Sequence, residues 1–328
     1  MDRLKIINEK WDHLIVLDAC RYDYFEKTYK NYLDGQLTKR ISAGSSTNQW
    51  RDNSFPDYYD DIVYVSANPQ FSTTTSVYGF TAGDHFHRVY EIWKTGWDKD
   101  KGTVLPETMN AAAIEIIRNL PDKKFIIHYL QPHAPYISLL EKFKGYTNPN
   151  CNINRIIAGT AKSENNFVFR KKILKNLLKC FKNSNILTNQ PAWVLRKILA
   201  LPPESPLEVA WRNVGKKGLR QAYKTNLEQV LSHVAILVKH LSGRIAITSD
   251  HGELLGESFL YGHPTGSANR ILVEVPWLII DKEQADIDIS SYVSKGQGVD
   301  KKSAPSTPDS EDEQKQLAEK LRALGYYD

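Results

Sequence analysis

The sequence predicts an α/β chain built on a doubly wound, mostly parallel sheet, and three observations carry that expectation. Short apolar, β-branched runs at 13–18, 61–68, 124–130, 244–248 and 275–280 alternate with stretches of helical periodicity. Several of these runs end on residues with chemistry to offer: Asp18, the pair Pro132-His133, and the pair Asp250-His251. The carboxyl ends of parallel strands face the crevice where open α/β sheets bind ligands, so such residues would share one edge. Finally, 328 residues suffice to bury a large core and allow one to three domains.

The first strand, 13–18, ends on Asp18, and residues 19–25 then turn helical. A strand-end aspartate can hold a metal or phosphate site, or simply cap the next helix. The run Gly44-Ser45-Ser46-Thr47 then places three hydroxyls after a glycine. Such a run starts helices, presents backbone N–H groups to an anion, and offers a nucleophile if a metal lowers a hydroxyl pKa. It is neither a Walker A loop nor a G-x-S-x-G elbow, which argues against nucleotide binding and a Ser-His-Asp triad. Residues 71–105 show no clear period and read as loops, with His85 and His87 in structural roles. Pro106 opens a helix that runs to Leu120. The strand 124–130 delivers His133, pinned between Pro132 and Pro135.

Residues 138–224 hold 17 Lys+Arg against 4 Asp+Glu, a net +13, so the remainder of this +5 chain carries −8. That asymmetry predicts a basic helical insertion. Its stretches 167–181 and 193–199 put apolar residues opposite lysines and arginines. Such helices suit an anionic membrane surface, or form a solvated basic face on a lid. No nucleic acid is expected as a partner. A long amphipathic helix is expected from Gly218 to Leu241. It leads into the strand 244–248 and the run Ser249-Asp250-His251-Gly252-Glu253, with His263 beyond a further glycine. A carboxylate beside an imidazole at a strand end suits a divalent cation; equally, Asp250 could cap a turn with the histidine on the surface. Residues 295–311 read as a linker and 313–324 as a terminal helix. The three cysteines imply no disulfide framework, and no run is long enough for a signal peptide or a spanning helix. A cytoplasmic location is therefore the expectation, with a peripheral place on the cytosolic membrane face.

Taken in order, strand–Asp18, the hydroxyl turn 44–47, Gln131-Pro-His-Ala-Pro-Tyr136, Ser249-Asp-His-Gly-Glu-Leu-Leu-Gly-Glu257 and His263 resemble the sulfatase and alkaline phosphatase superfamily. The resemblance spans 1–137 and 225–292, plus the closing 321–326. It implies an alkaline-phosphatase-like α/β/α catalytic domain over those two segments. The basic insertion at 138–224 and a linker with C-terminal helix at 293–328 then stand apart from it. It further implies a metal-dependent, sulfatase-like enzyme cleaving or transferring a phosphate or sulfate ester, with a glycan or lipid-linked glycan as candidate substrate.

The divalent ion (Ca, Mg, Mn or Zn) would be held by Asp18, Asp250 and His251. His133 and His263 would bind the transferred group or a second metal, and Ser46 or Thr47 would be the nucleophile, Ser46 preferred. The sequence departs from the family pattern in two places: Ala19 stands where many sulfatases carry a second aspartate, and neither Cys20 nor Cys151 begins a formylglycine motif. An unmodified hydroxyl favours phosphoryl over sulfuryl chemistry. The alternative is a catalytically silent module that uses the fold to hold an anionic glycan.

Overall fold

His13–Leu17 (β1) is buried along its whole length and lies at the middle of a seven-stranded sheet. The computed structural model describes residues 3–140, 189–282 and 311–326. Besides β1, its strands are β2 (Gln36–Ile41), β3 (Tyr59–Ser66), β4 (Phe86–Glu91), β5 (Trp97–Asp98), β6 (Thr103–Val104), β7 (Lys124–Tyr129), β8 (Gly243–Thr248), β9 (Leu254–Glu257), β10 (Leu260–Gly262) and β11 (Glu274–Lys282). Helices are α1 (Tyr22–Thr28), α2 (Thr47–Ser54), α3 (Ile92–Thr95), α4 (Pro106–Asn119), α5 (Ile137–Leu140), α6 (Asn189–Ile198), α7 (Pro206–Lys239), α8 (Arg270–Val273) and α9 (Glu311–Leu324).

The sheet order is β2-β11-β8-β1-β7-β3-β4. The pairings among β8, β1, β7, β3 and β4 are parallel, and β11 runs antiparallel to both of its neighbours. The fold is thus the mixed, mostly parallel α/β architecture expected. β1 is apolar from Leu14 onward because both its faces are covered. Ile15 and Leu17 join Val63, Val65, Phe125 and Ile127 beneath α1, α4, α7 and α9. Leu14 and Val16 turn to the opposite layer, with Tyr64, Ile126, Trp277 and the α2 residue Trp50. Each such side chain contributes about 1.5–3 kcal/mol by leaving water.

Two expectations are corrected. Residues 71–105 are not only loop: they contain β4, the β5–β6 hairpin and two short helical turns. β4 is an edge strand, FHRVYE, whose middle residues are exposed, so it lacks the apolar run that marks β1. The boundary drawn between 224 and 225 falls inside α7, which begins at Pro206 and is interrupted only at Gly215 (φ +65°). Leu219, Ala222 and Tyr223 are buried against Tyr136, Leu255 and Tyr261, so this part of the basic segment belongs to the body. The amphipathic stretch 167–181, Cys151 and residues 295–310 of the expected linker lie outside the described residues. Among the described residues no helix is long and apolar enough to cross a membrane.

Candidate active site

The register of the central strands builds the site. Leu17 pairs with Tyr129 and Val16 with Thr248, so the residues that follow on β1, β7 and β8 emerge at one edge. Those residues are Asp18, the segment leading to His133, and Ser249-Asp250-His251. Ser249 ties two of the ends together: its hydroxyl donates to the Leu17 carbonyl (2.6 Å) and accepts from the Cys20 N–H (2.7 Å). Ala19 takes a φ of +57°, a strained choice for alanine, and its N–H donates to Asp250 Oδ1 (3.0 Å). Gly252 is required by contact: a Cβ there would lie 2.0 Å from the Ile271 carbonyl oxygen.

The hydroxyl turn enters from the side. Ser46 is the N-cap residue and Thr47 the first residue of α2. Thr47, fully buried, donates its hydroxyl to Asp250 Oδ2 (2.7 Å) and lies 3.2 Å from His251 Nε2. Ser46 Oγ instead donates to Asn48 Oδ1 (2.6 Å) and sits 2.9 Å from Thr265 Oγ1, facing the cavity rather than the carboxylates. Asp18, Thr47, Asp250 and His251 therefore converge. His133 and His263 meet beside them, with ring centroids 5.2 Å apart.

Glu253, Asn68 and Tyr326 are among the site residues that were missed. Glu253 is fully buried, 3.2 Å from His263 Nδ1 and 3.9 Å from His133 Nε2. Its signal was its place directly after Asp-His-Gly. Asn68, at the end of β3, donates to Asp18 Oδ2 (2.8 Å). Tyr326, beyond α9, stacks on the His133 ring at 5.8 Å. Its tertiary position had no local signal.

The electrostatics show what the cluster lacks. Burial first, and then Asp250 and Glu253, hold the Asp18 carboxyl well above its ordinary range. Burial keeps His251 far below 6.5 and therefore neutral. The His251 Nδ1–H donates to the Gly252 carbonyl (2.8 Å), which leaves the Nε2 lone pair facing Thr47 and the aspartates. His133 is set the same way, its Nδ1–H on the Ala134 carbonyl (2.6 Å) and burial lowering its pKa. Burial opposes charge on Glu253 and His263 too, but each offsets it for the other: the carboxyl is lowered and the imidazole raised, so the two form an ion pair.

Asp18 Oδ1, Glu253 Oε2 and His128 Nε2 are buried with no hydrogen-bond partner among the described residues. Acceptors thus crowd around very few protons, a donor set that suits a divalent cation. Among the described residues two groups have the spacing for one: Asp18, His128 and Asp250, and His133, Glu253 and His263. A cavity of about 610 Å³ opens from the site, walled by Tyr78, Trp193, Leu260, Tyr261 and Tyr326.

No family model matches the sequence, and no curated protein matches it. Among solved structures the chain is similar to the integral membrane lipooligosaccharide phosphoethanolamine transferase A of Neisseria meningitidis, at 11% identity and a TM-score of 0.44 over 84% of this chain. It spans about half (48%) of that protein's length. The phosphonate monoester hydrolase of Agrobacterium radiobacter is similar at 15% identity and a TM-score of 0.48, over 83% of this chain and 68% of that one. The C-terminal periplasmic domain of EptC from Escherichia coli, solved in complex with zinc, gives 11% and 0.43 over 85% and 75%. At these values the similarity concerns the path of the chain, and function has to be argued from its own side chains.

Proposed function

We propose that this chain is a metal-dependent, sulfatase-like enzyme that attacks a phosphate or sulfate ester with the Thr47 hydroxyl. The observation that carries the reading is the contact of Thr47 Oγ1 with Asp250 Oδ2 at 2.7 Å and with His251 Nε2 at 3.2 Å. Nucleophile, carboxylate and neutral imidazole lie together at the strand ends, within a cluster that is short of positive charge. Thr47 replaces Ser46 as the preferred nucleophile because the Ser46 hydroxyl is engaged with Asn48 and Thr265.

Asp18, Asp250, His251 and Thr47 would hold one divalent cation, which when bound would lower the hydroxyl's pKa and polarise the ester. His128 could complete its donor set. The chain's own residues supply the rest. The Thr47 hydroxyl proton passes to Asp250 as Oγ1 bonds to phosphorus and the ester P–O bond breaks. His263, kept protonated by Glu253, gives a proton to the departing oxygen. His133 Nε2 lies beside Glu253 at the cavity wall, placed to accept from a hydroxyl of substrate or water. Water, or an acceptor hydroxyl, then releases the group from Thr47 by the reverse steps, giving hydrolysis or transfer.

The cavity suggests the organic part of the substrate. Among the described residues that line it none is Lys or Arg, and four aromatic rings face it. Such walls suit an uncharged sugar or an apolar group better than a second anionic group. A glycan or lipid-linked glycan fits that description. Peripheral attachment to an anionic membrane through the basic segment, on the cytosolic face, belongs to the same reading.

The test is turnover of an aryl phosphate and an aryl sulfate by the purified protein with Zn²⁺, Mn²⁺, Mg²⁺ or Ca²⁺ added. Metal-dependent hydrolysis that Thr47→Ala abolishes supports the reading. Tight binding of a sulfated or phosphorylated glycan with no turnover under any metal would replace it with a silent binding module.

A further inference from the structure

The last turn of α9 aims a side chain at this site. Gly325 takes a φ of +91°, its N–H bonds the Arg322 carbonyl (3.0 Å), and the Tyr326 N–H reaches back to the Leu321 carbonyl (3.0 Å). That pair of bonds is a Schellman cap, which needs the left-handed conformation glycine adopts without strain. The cap turns the chain at the strand ends and points Tyr326 inward. The helix itself is fastened: Leu317 and Leu324 are buried in the core, and the Lys320 ammonium lies over Trp93 and Trp97 at 5.1 and 5.9 Å from the ring centres.

The position of Tyr326 is more specific than filling requires. Its ring lies nearly parallel to that of His133, 9° between planes. Its hydroxyl is 3.4 Å from Thr47 Oγ1, alongside Asn68 and Asp18. The residue also lines the cavity, so a bound ligand can reach it. An anionic group carried to Thr47 needs donors for its outer oxygens, while the carboxylates of Asp250 and Glu253 offer acceptors.

We infer that Tyr326 contacts the transferred group. Its phenolic O–H donates to an outer oxygen of the phosphoryl or sulfuryl group brought to Thr47, and its ring holds the His133 imidazole against the cavity wall. This rests on the Thr47 reading above. The C-terminal helix therefore belongs to the site rather than forming an appendage to it, although 28 residues separating it from β11 lie outside the described chain.

The experiment is titration of the full-length, Zn²⁺-loaded protein with orthophosphate, for the wild type, Tyr326→Phe, Tyr326→Ala and Asp250→Asn, with melting curves and metal content for each. Tyr326→Phe keeps the ring on His133. Its melting temperature and metal content should match the wild type, while phosphate binding weakens by about tenfold or more, the scale of a lost hydrogen bond to a charged group. Tyr326→Ala should bind phosphate no better than Tyr326→Phe. Equal affinity in the wild type and Tyr326→Phe would overturn the inference. Tighter binding by Tyr326→Phe would overturn it too, by making the phenol an occupant that the anion must displace. If Asp250→Asn loses phosphate and Tyr326→Phe does not, only the role of Tyr326 falls. If Asp250→Asn also binds like the wild type, the site itself is misplaced.

Discussion

Thr47 and Asp250, 203 residues apart in the chain, share a 2.7 Å hydrogen bond that buries a hydroxyl against a carboxylate at the edge of the sheet. Neither residue is exposed to solvent. The bond links the first turn of α2 to the end of β8, and the strands on either side set its geometry. A threonine that merely capped a helix would have its oxygen on the N–H groups of its own first turn. This one is spent on a carboxylate.

Replacing that carboxylate separates chemistry from folding. Asp250→Asn retains an amide oxygen able to accept from the Ala19 and His251 N–H groups, which now bond Oδ1 at 3.0 and 2.8 Å. The folded state should persist by circular dichroism. Metal bound per chain should fall, and turnover should drop by more than the about 10–100-fold that loss of an outer partner costs a metal site. Full metal occupancy together with normal turnover would show that Asp250 is no ligand.

Asp18 gives a prediction of opposite sign for stability. Its carboxyl is raised by burial, Asp250 and Glu253, so the folded chain holds this proton more tightly than the unfolded one. Below the ordinary value of 3.8 both states are protonated and Asp18 costs nothing. As pH rises from there toward the folded-state pKa, the group costs stability, and a cation relieves that cost. Asp18→Asn should therefore raise the melting temperature of the metal-free protein at neutral pH, by about 2–4 °C per kcal/mol relieved in a domain of 150–250 residues. The same substitution should shrink the further rise that Zn²⁺ or Mn²⁺ produces in the wild type. A lower metal-free melting temperature in the variant would mean that the ionised carboxylate is already compensated.

The charge asymmetry makes a prediction about location. Attraction to anionic lipid is worth about 1 kcal/mol per basic residue near the surface, screened beyond roughly 8–10 Å at physiological salt. The protein is expected to sediment with anionic vesicles at low salt and not with neutral ones. Removing 141–188, which spares α7 and its buried residues, should abolish this and leave metal binding intact. Equal recovery with both vesicle types, or with neither at low salt, would leave the basic segment as a lid or a contact between subunits.

The strands that position the site were legible because they are buried on both faces. β1, β7 and β8 carry near-continuous apolar runs ending in Asp18, Pro132-His133 and Asp250-His251. β2 and β4 were not, because edge strands such as QLTKRI and FHRVYE consist mostly of exposed and half-buried residues and lack the apolar run of a buried strand. The hydroxyl turn was found, but the choice between Ser46 and Thr47 depends on where α2 begins, to a single residue, and local pattern does not fix a helix start that finely. Glu253 lay within a motif already singled out, yet nothing in the sequence places its side chain between two histidines from other segments. Tyr326 needed the tertiary return of α9, and the C-terminal motif signalled only that the chain closes there.

The most direct measurement is to identify the side chain that carries the transferred group. Protein loaded with metal and mixed with an aryl phosphate is quenched in acid, digested, and its peptides sequenced by mass spectrometry. A phosphoryl group on Thr47 is predicted, lost in Thr47→Ala and retained in Ser46→Ala. A phosphoryl group on Ser46 instead, or continuing turnover by the Thr47→Ala protein, would contradict the assignment of Thr47 as the nucleophile.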